Sequence, residues 1–179
     1  MTNFLYPLRV NVTNRAAAAL LNGWQLNGIV TLTSGLPFTV LVDGASDRDR
    51  DLAQTALRPD LVPGRSSNPI LGTPQQWFDP TAFALPAPGF YGTLGRNTLR
   101  GDSFQNVDVG VQKNMSLGGG VTMQFRTEIF NVLNHANFQI PAVTTIFVGD
   151  NPTPVANAGQ VTSTANAARQ IQFSLKFIF

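Results

Sequence analysis

Closely spaced carboxylates in the segment DGASDRDRDLAQ, residues 43 to 54, come nearest to a metal site in this sequence. The four aspartates are Asp43, Asp47, Asp49 and Asp51. Calcium takes about six to eight oxygen ligands, and this spacing would let one turn supply about three of them. An EF-hand also needs a glycine and a distal glutamate at fixed offsets, which do not follow here. Because Arg48 and Arg50 can neutralise the aspartates, we predict a solvated loop and assign no metal residue.

A second group of side chains is suited to contact a ligand without catalysing a reaction. The segment GTLGRNTLRG, residues 92 to 101, is rich in glycine but lacks the Lys-Ser/Thr ending of a phosphate-binding P-loop. The segment WFDPTAFALPAPGFYG, residues 77 to 92, forms either a ligand-facing aromatic surface or the small core of a loop. The candidate ligand-contacting residues of these two segments are Trp77, Tyr91, Arg96 and Arg100.

Residue types that carry catalysis are sparse. His135 is the only histidine, so two histidines cannot share a zinc ion. The Gly-x-Ser-x-Gly signature of α/β-hydrolases is absent. Arg126 and Glu128 lie two residues apart, and we predict that they pair with neighbouring polar side chains. We therefore predict that the chain is not an enzyme and has no catalytic residue, metal ion or cofactor.

Composition narrows the class of protein. Charged residues make up 12% of the chain, against roughly 25% in an ordinary soluble domain. The basic residues are scattered and the net charge is +2, so the clustered basic face of a nucleic-acid-binding protein is missing. The chain has no cysteine, which excludes a disulfide framework. It also has no apolar run of about 18 residues, so a membrane protein of this sequence would have to cross the bilayer with strands.

Four segments alternate between apolar and polar residues with the two-residue period of a β-strand. They cover about residues 24–34, 104–116, 121–132 and 169–179, and each has about the length of a tilted strand that crosses a bilayer. No charge lies in the middle of their apolar faces. The residues predicted to face lipid in the first three strands are Trp24, Leu26, Val30, Val107, Val109, Val111, Met123, Phe125 and Ile129. The apolar residues of the last strand include Phe173, Leu175, Phe177 and Phe179.

The lengths of the connections predict how these strands are arranged. LGGG, residues 117 to 120, is a tight hairpin turn, because glycine supplies the positive φ that short hairpins need. The loops at residues 43–103 and 133–168 are long and would lie together on the opposite side of an up-and-down sheet. Outer-membrane barrels have this asymmetry of short periplasmic turns and long external loops. We predict an all-β fold of antiparallel strands from a partial outer-membrane barrel.

The alternation by itself also fits a secreted or surface β-sandwich that binds carbohydrate or protein through its loops. The two hypotheses differ in what covers the apolar face that carries Val107, Phe125 and Phe173. Lipid covers this face in a barrel, whereas a second protein layer covers it in a sandwich.

Four blocks of sequence resemble the C-terminal end of TonB-dependent outer-membrane transporters. In chain order they are GWQLNGIVTLTSGLPFTV, LGRNTLRGDSFQNVDVGVQKNM, MQFRTEIFNVLNHANFQIP and GQVTSTANAARQIQFSLKFIF. The resemblance runs from about Trp24 to the end and is strongest to Oar-like receptors of the Acidobacteria type, which carry a carboxypeptidase-regulatory-like domain. NFLYPL, residues 3 to 8, is similar to the tail of a preceding barrel strand.

The resemblance implies a barrel of about 22 strands around a plug domain, of which this chain would be a fragment. Residues 1–22 would be the strand tail and a periplasmic turn, and residues 23–179 the C-terminal strands with their loops. Implied partners are outer-membrane lipid, the remaining barrel and plug, and the TonB complex, in the cell outer membrane. The terminal strand, with Phe173, Leu175, Phe177 and Phe179, resembles the signal that the barrel-assembly machinery recognises.

Overall fold

A computed structural model describes residues 1–43 and 57–179 of the chain. The elements of unit 1 and unit 2, defined below, follow one another as β1 (Thr2–Leu8), α1 (Arg15–Leu21), β2 (Trp24–Thr33), β3 (Pro37–Phe38), β4 (Leu41–Asp43), β5 (Asp60–Leu61), β6 (Ile70–Thr73), β7 (Gln76–Phe78), a 3-10 turn (Pro80–Ala82), β8 (Phe83–Ala84), β9 (Leu99–Arg100), β10 (Phe104–Gly118), β11 (Val121–Phe130), β12 (Thr145–Val148) and β13 (Gln170–Ile178). Unit 1 comprises residues 1–33, 104–136 and 166–179, and unit 2 comprises residues 34–103 and 137–165.

Unit 1 is a five-stranded antiparallel sheet in the order β1-β2-β10-β11-β13. This confirms the prediction of an all-β fold made of antiparallel strands. The sheet is open, because β1 and β13 are its two edges and do not pair with each other. β1 lies in the region where the sequence predicted the tail of a preceding strand, and its whole length pairs with the first seven residues of β2, from Leu8 opposite Trp24 to Thr2 opposite Val30.

The hairpin between β10 and β11 is the tight turn that the glycine run predicted. Gly118, Gly119 and Gly120 have φ values of 87°, 60° and 83°. Non-glycine residues adopt such values only at an energetic cost, which explains why this connection contains consecutive glycines. β10 extends through Gly118, two residues beyond the predicted end of that strand, and β11 begins at Val121.

Between β1 and β2 the chain forms a short helix in a region where the sequence predicted only a strand tail and a turn. The residues of α1 are RAAAALL, and alanine and leucine have high helix propensity. Asn14 caps the start, because its side-chain oxygen accepts hydrogen bonds from the backbone N–H groups of Ala16 and Ala17 at 2.9 and 3.2 Å. In the ranges 1–43 and 57–179, no helix has the length and apolar character needed to span a membrane.

Unit 2 is a folded body in the region predicted as two long loops. Its paired strands are short: β3 with β9, β5 with β8, β6 with β7, and β4 with β12. The last pair is parallel and links the beginning of the first predicted loop to the second, since β4 ends at Asp43, the first residue of one loop, and β12 lies within the other. Two long connections can therefore share one hydrophobic core, although strand periodicity gave no sign of it.

The core of unit 2 is built around aromatic side chains. The Phe78 ring lies edge-on to Phe83 with 5.8 Å between the ring centroids, and 6.1 Å from Phe38. The buried hydrophobic residues are Phe38, Val40, Val42, Leu57, Trp77, Phe78, Ala82, Phe83, Leu94, Leu99, Ile146, Phe147, Ala158 and Val161. All of them lie in unit 2, so within the described residues the sheet of unit 1 contributes nothing to a buried hydrophobic core.

Candidate functional site

The register of unit 1 places the predicted lipid-facing side chains on one face of the sheet. Leu26 lies opposite Val111, and Val30 lies opposite Val107. Directly opposed residues of antiparallel strands point to the same face. The same relation continues across the sheet and defines an apolar face: Phe4, Tyr6, Leu8, Trp24, Leu26, Val30, Val107, Val109, Val111, Met123, Phe125, Ile129, Ile171, Phe173, Leu175 and Phe177.

The apolar face is exposed to a degree that soluble sheets avoid. On β13, Phe173 is 70% exposed and Leu175 is 57% exposed, and on β1 Tyr6 is 61% exposed. The central strands are half-buried. Phe125 and Phe173 stack in adjacent strands with ring centroids 6.4 Å apart. Large contiguous apolar patches on a protein surface mark contact with a partner or a membrane.

The opposite face of the sheet is polar and internally hydrogen-bonded. The Arg126 guanidinium donates to the Gln112 side-chain oxygen at 3.0 Å and lies 3.5 Å from the Glu128 carboxylate. This agrees with the predicted pairing of Arg126 and Glu128 with neighbouring polar side chains. Two residues further along the same two strands, the Gln124 amide donates to the Asn114 side-chain oxygen at 2.9 Å. The face thus consists of mutually paired uncharged and charged groups, which is suited to contact with water or with another polar surface.

The block FNVLNHANF ends β11 with a side-chain cap. Asn131 has a φ of 50° and is 4% exposed. Its amide donates to the carbonyl oxygens of His135 at 3.1 Å and Ala167 at 3.0 Å, and its side-chain oxygen accepts from the His135 N–H at 3.0 Å. The asparagine therefore joins the end of β11 to the segment that leads into β13. His135, the only histidine, takes part through its backbone, and its side chain is exposed.

Lys113 is a residue that the sequence analysis missed. It shares the parity of Val107, Val109 and Val111, so it lies on the apolar face, where no charge was expected within a strand. It is 5% exposed. Its ammonium group lies 5.0 Å from the centroid of the Trp24 ring and donates to three backbone carbonyls of the preceding segment. Its position in the sequence, two residues after Val111 in the alternating pattern, was the signal that could have identified it.

The four candidate ligand-contacting residues lie in unit 2 and differ in exposure. Trp77 is 5% exposed and belongs to the core, where its indole N–H donates to the Arg100 carbonyl at 2.8 Å. The Arg100 guanidinium donates to the Gly35 carbonyl at 3.1 Å. Tyr91 is 63% exposed, and Arg96 is also exposed. Residues 77 to 92 were predicted to form either a ligand-facing aromatic surface or the core of a loop. Trp77 belongs to a core, whereas Tyr91 lies at the surface.

The aspartate-rich segment lies largely outside the described residues, which include only Asp43 of its four aspartates. Elsewhere in unit 2, Asp79 caps the 3-10 turn, and the hydroxyl and the N–H of Thr81 donate to its carboxylate at 2.7 and 2.9 Å. The Thr81 hydroxyl is the main cause that lowers the pKa of Asp79, and Arg65 at 3.7 Å adds to it against the opposing effect of burial. Within residues 1–43 and 57–179, no three carboxylate or imidazole side chains are grouped to hold a metal ion.

Comparison with known protein families gives a match over most of the chain. The family model described as an outer membrane beta barrel domain matches residues 2–172, which is nearly the whole chain. No curated protein and no solved structure matches the chain.

Proposed function

The chain belongs to the outer membrane beta barrel domain family, and on this premise we propose that unit 1 is a segment of a barrel wall. Family membership points to the outer membrane as the location of the protein. In this proposal the apolar face contacts lipid, and the polar face with Gln112, Arg126 and Glu128 lines the barrel interior. Lipid replaces the second protein layer that a soluble sheet would need.

The main support for the proposal is a difference between the two units. Unit 2 buries its apolar side chains, and unit 1 does not. Every buried hydrophobic residue of the described chain lies in unit 2, whereas unit 1 exposes a continuous apolar face across all five strands. Burying such a face is worth about 25 cal/mol per Å². A bilayer supplies this burial without any further protein element.

Strand length supports the same conclusion. β2 and β11 have 10 residues each and β13 has 9. A tilted strand needs about 9 to 11 residues to cross a bilayer. Trp24 lies at the first position of β2, the level at which aromatic residues form interfacial girdles in such barrels.

We also propose that this wall belongs to a TonB-dependent receptor of the Oar-like type and takes part in uptake of a ligand. The four sequence blocks that resemble these transporters support this, as do the two free edges, β1 and β13, at which further barrel strands would pair. The remaining barrel, the plug and the TonB complex would be the partners. The chain would have no catalytic role.

In the same proposal β13 is the strand that the barrel-assembly machinery recognises through Phe173, Leu175, Phe177 and Phe179. Serine at Phe177 and Phe179 should slow insertion into vesicles that contain this machinery, whereas Gln172→Ser on the polar face should not. Equal insertion rates for both variants would contradict this role of β13.

The wall proposal is tested by refolding the 179-residue chain in plain buffer, in detergent micelles and in phosphatidylcholine vesicles. Circular dichroism measures strand content, and analytical ultracentrifugation measures dispersion in the buffer and detergent samples. We expect a dispersed β-rich species only where detergent or lipid is present. A cooperative, monomeric β fold in plain buffer would contradict the proposal and favour a secreted or surface β-sandwich that binds carbohydrate or protein through its loops.

A further inference from the structure

The buried cation of unit 1 is a feature that the barrel wall itself does not require. Lys113 lies on the apolar face of β10, where its neighbours in register are Trp24 on β2 and Phe125 on β11. A buried ammonium group is costly unless polar groups satisfy it. The hydrogen-bond partners of Lys113 therefore indicate the structural role of its ammonium group.

All three of its hydrogen bonds go to the end of one helix. The Lys113 Nζ donates to the carbonyl oxygens of Ala19 at 2.9 Å, Leu20 at 2.9 Å and Asn22 at 2.7 Å. The last carbonyls of a helix have no partner within it and form the negative end of its dipole. The ammonium group is thus held at the C-terminal end of α1, which it neutralises.

Trp24 attaches the same turn to the sheet from the neighbouring strand. Its indole N–H donates to the Leu20 carbonyl at 3.0 Å, and its ring lies 5.0 Å from the Lys113 ammonium. The chain then enters β2 through Gly23, whose φ is 81°. A side chain at Gly23 would clash with the Asn114 carbonyl oxygen. We call Lys113, Trp24 and the end of α1 the helix clamp.

Two leucines of α1 remain exposed in this arrangement. Leu20 is 68% exposed and Leu21 is 42% exposed, and the residues between Arg15 and these leucines are all alanine. α1 therefore presents an uncharged, apolar end immediately beside the apolar face. A soluble helix of this length would turn such residues toward a core.

We propose that the helix clamp fixes α1 at the membrane interface, with Leu20 and Leu21 in the headgroup region of a phospholipid surface. This inference rests on the proposed function, because it takes the apolar face of unit 1 to be lipid-facing. Three observations favour this position. Trp24 begins β2, and tryptophan is enriched at membrane interfaces. Lys113 lies opposite Trp24, and a lysine near the end of a membrane-crossing segment reaches toward polar surroundings. The carbonyl groups at the end of α1 supply those polar surroundings.

The test measures the depth of single labelled cysteines, which the chain allows because it has no native cysteine. An environment-sensitive fluorophore is attached to L20C, to V109C on the apolar face, and to Q172C on the polar face. The full chain is refolded into vesicles of phosphatidylcholine and phosphatidylglycerol. Quenchers are attached either to lipid headgroups or to the middle of the acyl chains.

We expect the L20C label to be quenched at least twofold more by the headgroup quencher than by the mid-chain quencher, and the V109C label to show the reverse order. The Q172C label should be the least quenched of the three by the mid-chain quencher. If V109C is quenched by the acyl-chain probe but L20C by neither, the inference fails and the wall proposal stands. If neither label is quenched, both fail. Stronger mid-chain than headgroup quenching at L20C also overturns the interfacial position.

The clamp itself is tested with Lys113→Met, which keeps an unbranched side chain and removes the ammonium group. Headgroup quenching at L20C should fall at least twofold, while quenching at V109C stays unchanged. Unchanged quenching at L20C would show that Lys113 does not position α1. If K113M does not refold, Trp24→Phe removes the indole hydrogen bond and leaves a smaller aromatic ring beside the ammonium group, and a smaller decrease of the same kind is expected.

Discussion

Phe78 and Phe173 are the same kind of side chain in two different settings. In unit 2, Phe78 is fully buried and packs against Phe38 and Phe83. In unit 1, Phe173 is 70% exposed and stacks only on Phe125 of the adjacent strand. Unit 2 buries its aromatic residues within its own protein core. Unit 1 leaves them on a sheet surface, where lipid would cover them in the proposed barrel wall.

This contrast is the one expected if two kinds of solvent act on one chain, as we propose. Unit 2 contains short strands, turns and polar caps around a core, as expected of a part of a protein that is surrounded by water. Unit 1 contains long strands whose polar and apolar residues occupy separate faces, as expected of a wall between lipid and a polar interior. Substitutions of similar chemistry should therefore have different effects in the two units.

The largest expected effect is that of Phe78→Ala, measured in a chain that also carries Trp24→Phe so that Trp77 alone reports on unit 2. The substitution should lower the free energy of unfolding by about 3 to 5 kcal/mol, because it leaves a cavity in a packed core. Urea unfolding followed by Trp77 fluorescence measures it. In detergent, Phe173→Ala should cost less, about 1 to 2 kcal/mol by circular dichroism, because it removes apolar area from the detergent contact but leaves no cavity. Equal losses at the two positions would remove the distinction between the units.

A charge on the apolar face should have the next largest effect. Phe173→Lys should destabilise the vesicle-inserted sheet by about 2 to 4 kcal/mol, because the ammonium group would face hydrocarbon. The adjacent Gln172→Lys is its matched control, since Gln172 lies on the polar face opposite Glu128. The measurement is urea unfolding of the vesicle-inserted sheet, followed by circular dichroism. Similar destabilisation by both lysines would mean that the two faces do not differ in solvent.

Asn131→Gly tests the side-chain cap that ends β11. Glycine tolerates the positive φ of this position, so the substitution removes the hydrogen bonds without adding backbone strain. We expect a loss of about 1 to 3 kcal/mol, because buried partners lose their hydrogen bonds. Asn134→Gly is the comparison, since Asn134 has a φ of 51°, is exposed, and accepts a hydrogen bond from the Arg169 N–H at 3.0 Å but none from the His135 amide. Hydrogen exchange of the His135 amide should rise in the first variant and stay near the wild-type rate in the second.

The smallest expected effect is a dependence of unit 2 on pH. The hydrogen bond from the Thr81 hydroxyl lowers the pKa of Asp79 below its ordinary value. Because the folded pKa lies below the unfolded one, the stabilisation is present at neutral pH and is lost as the pH falls through the folded pKa, below about pH 4. Asp79→Asn should remove this part of the acid dependence. Urea midpoints from Trp77 fluorescence at several pH values measure it, and parallel profiles for both chains would contradict it.

Sequence analysis predicted unit 1 well because strand periodicity is a local property. The alternation around Val107 and Phe125 requires only that neighbouring side chains point to opposite faces. The glycines at 118–120 identified the hairpin for an equally local reason. The helix α1 was missed because a strand tail was expected there, although the Asn14 cap and the alanine run are also local features.

The core of unit 2 was not predictable in the same way. Its residues come from two segments separated by β10 and β11, and its strands of two to four residues are too short to show a period. Whether Trp77 would face a ligand or a core depended on which distant residues approached it. The sequence left both possibilities open, and tertiary packing placed Trp77 inside and Tyr91 outside.

Local order of polar and apolar side chains is enough to predict the two faces of the strands and the tight hairpin, and with the low content of charged residues these features are typical of a membrane-facing sheet. These features follow from the side chains of adjacent residues and need no long-range contact. The tertiary structure alone decided that the long connections share a core and that the charge of Lys113 is neutralised by the end of α1. Both depend on residues far apart in the chain, whose meeting is fixed by burial and hydrogen bonding rather than by local pattern.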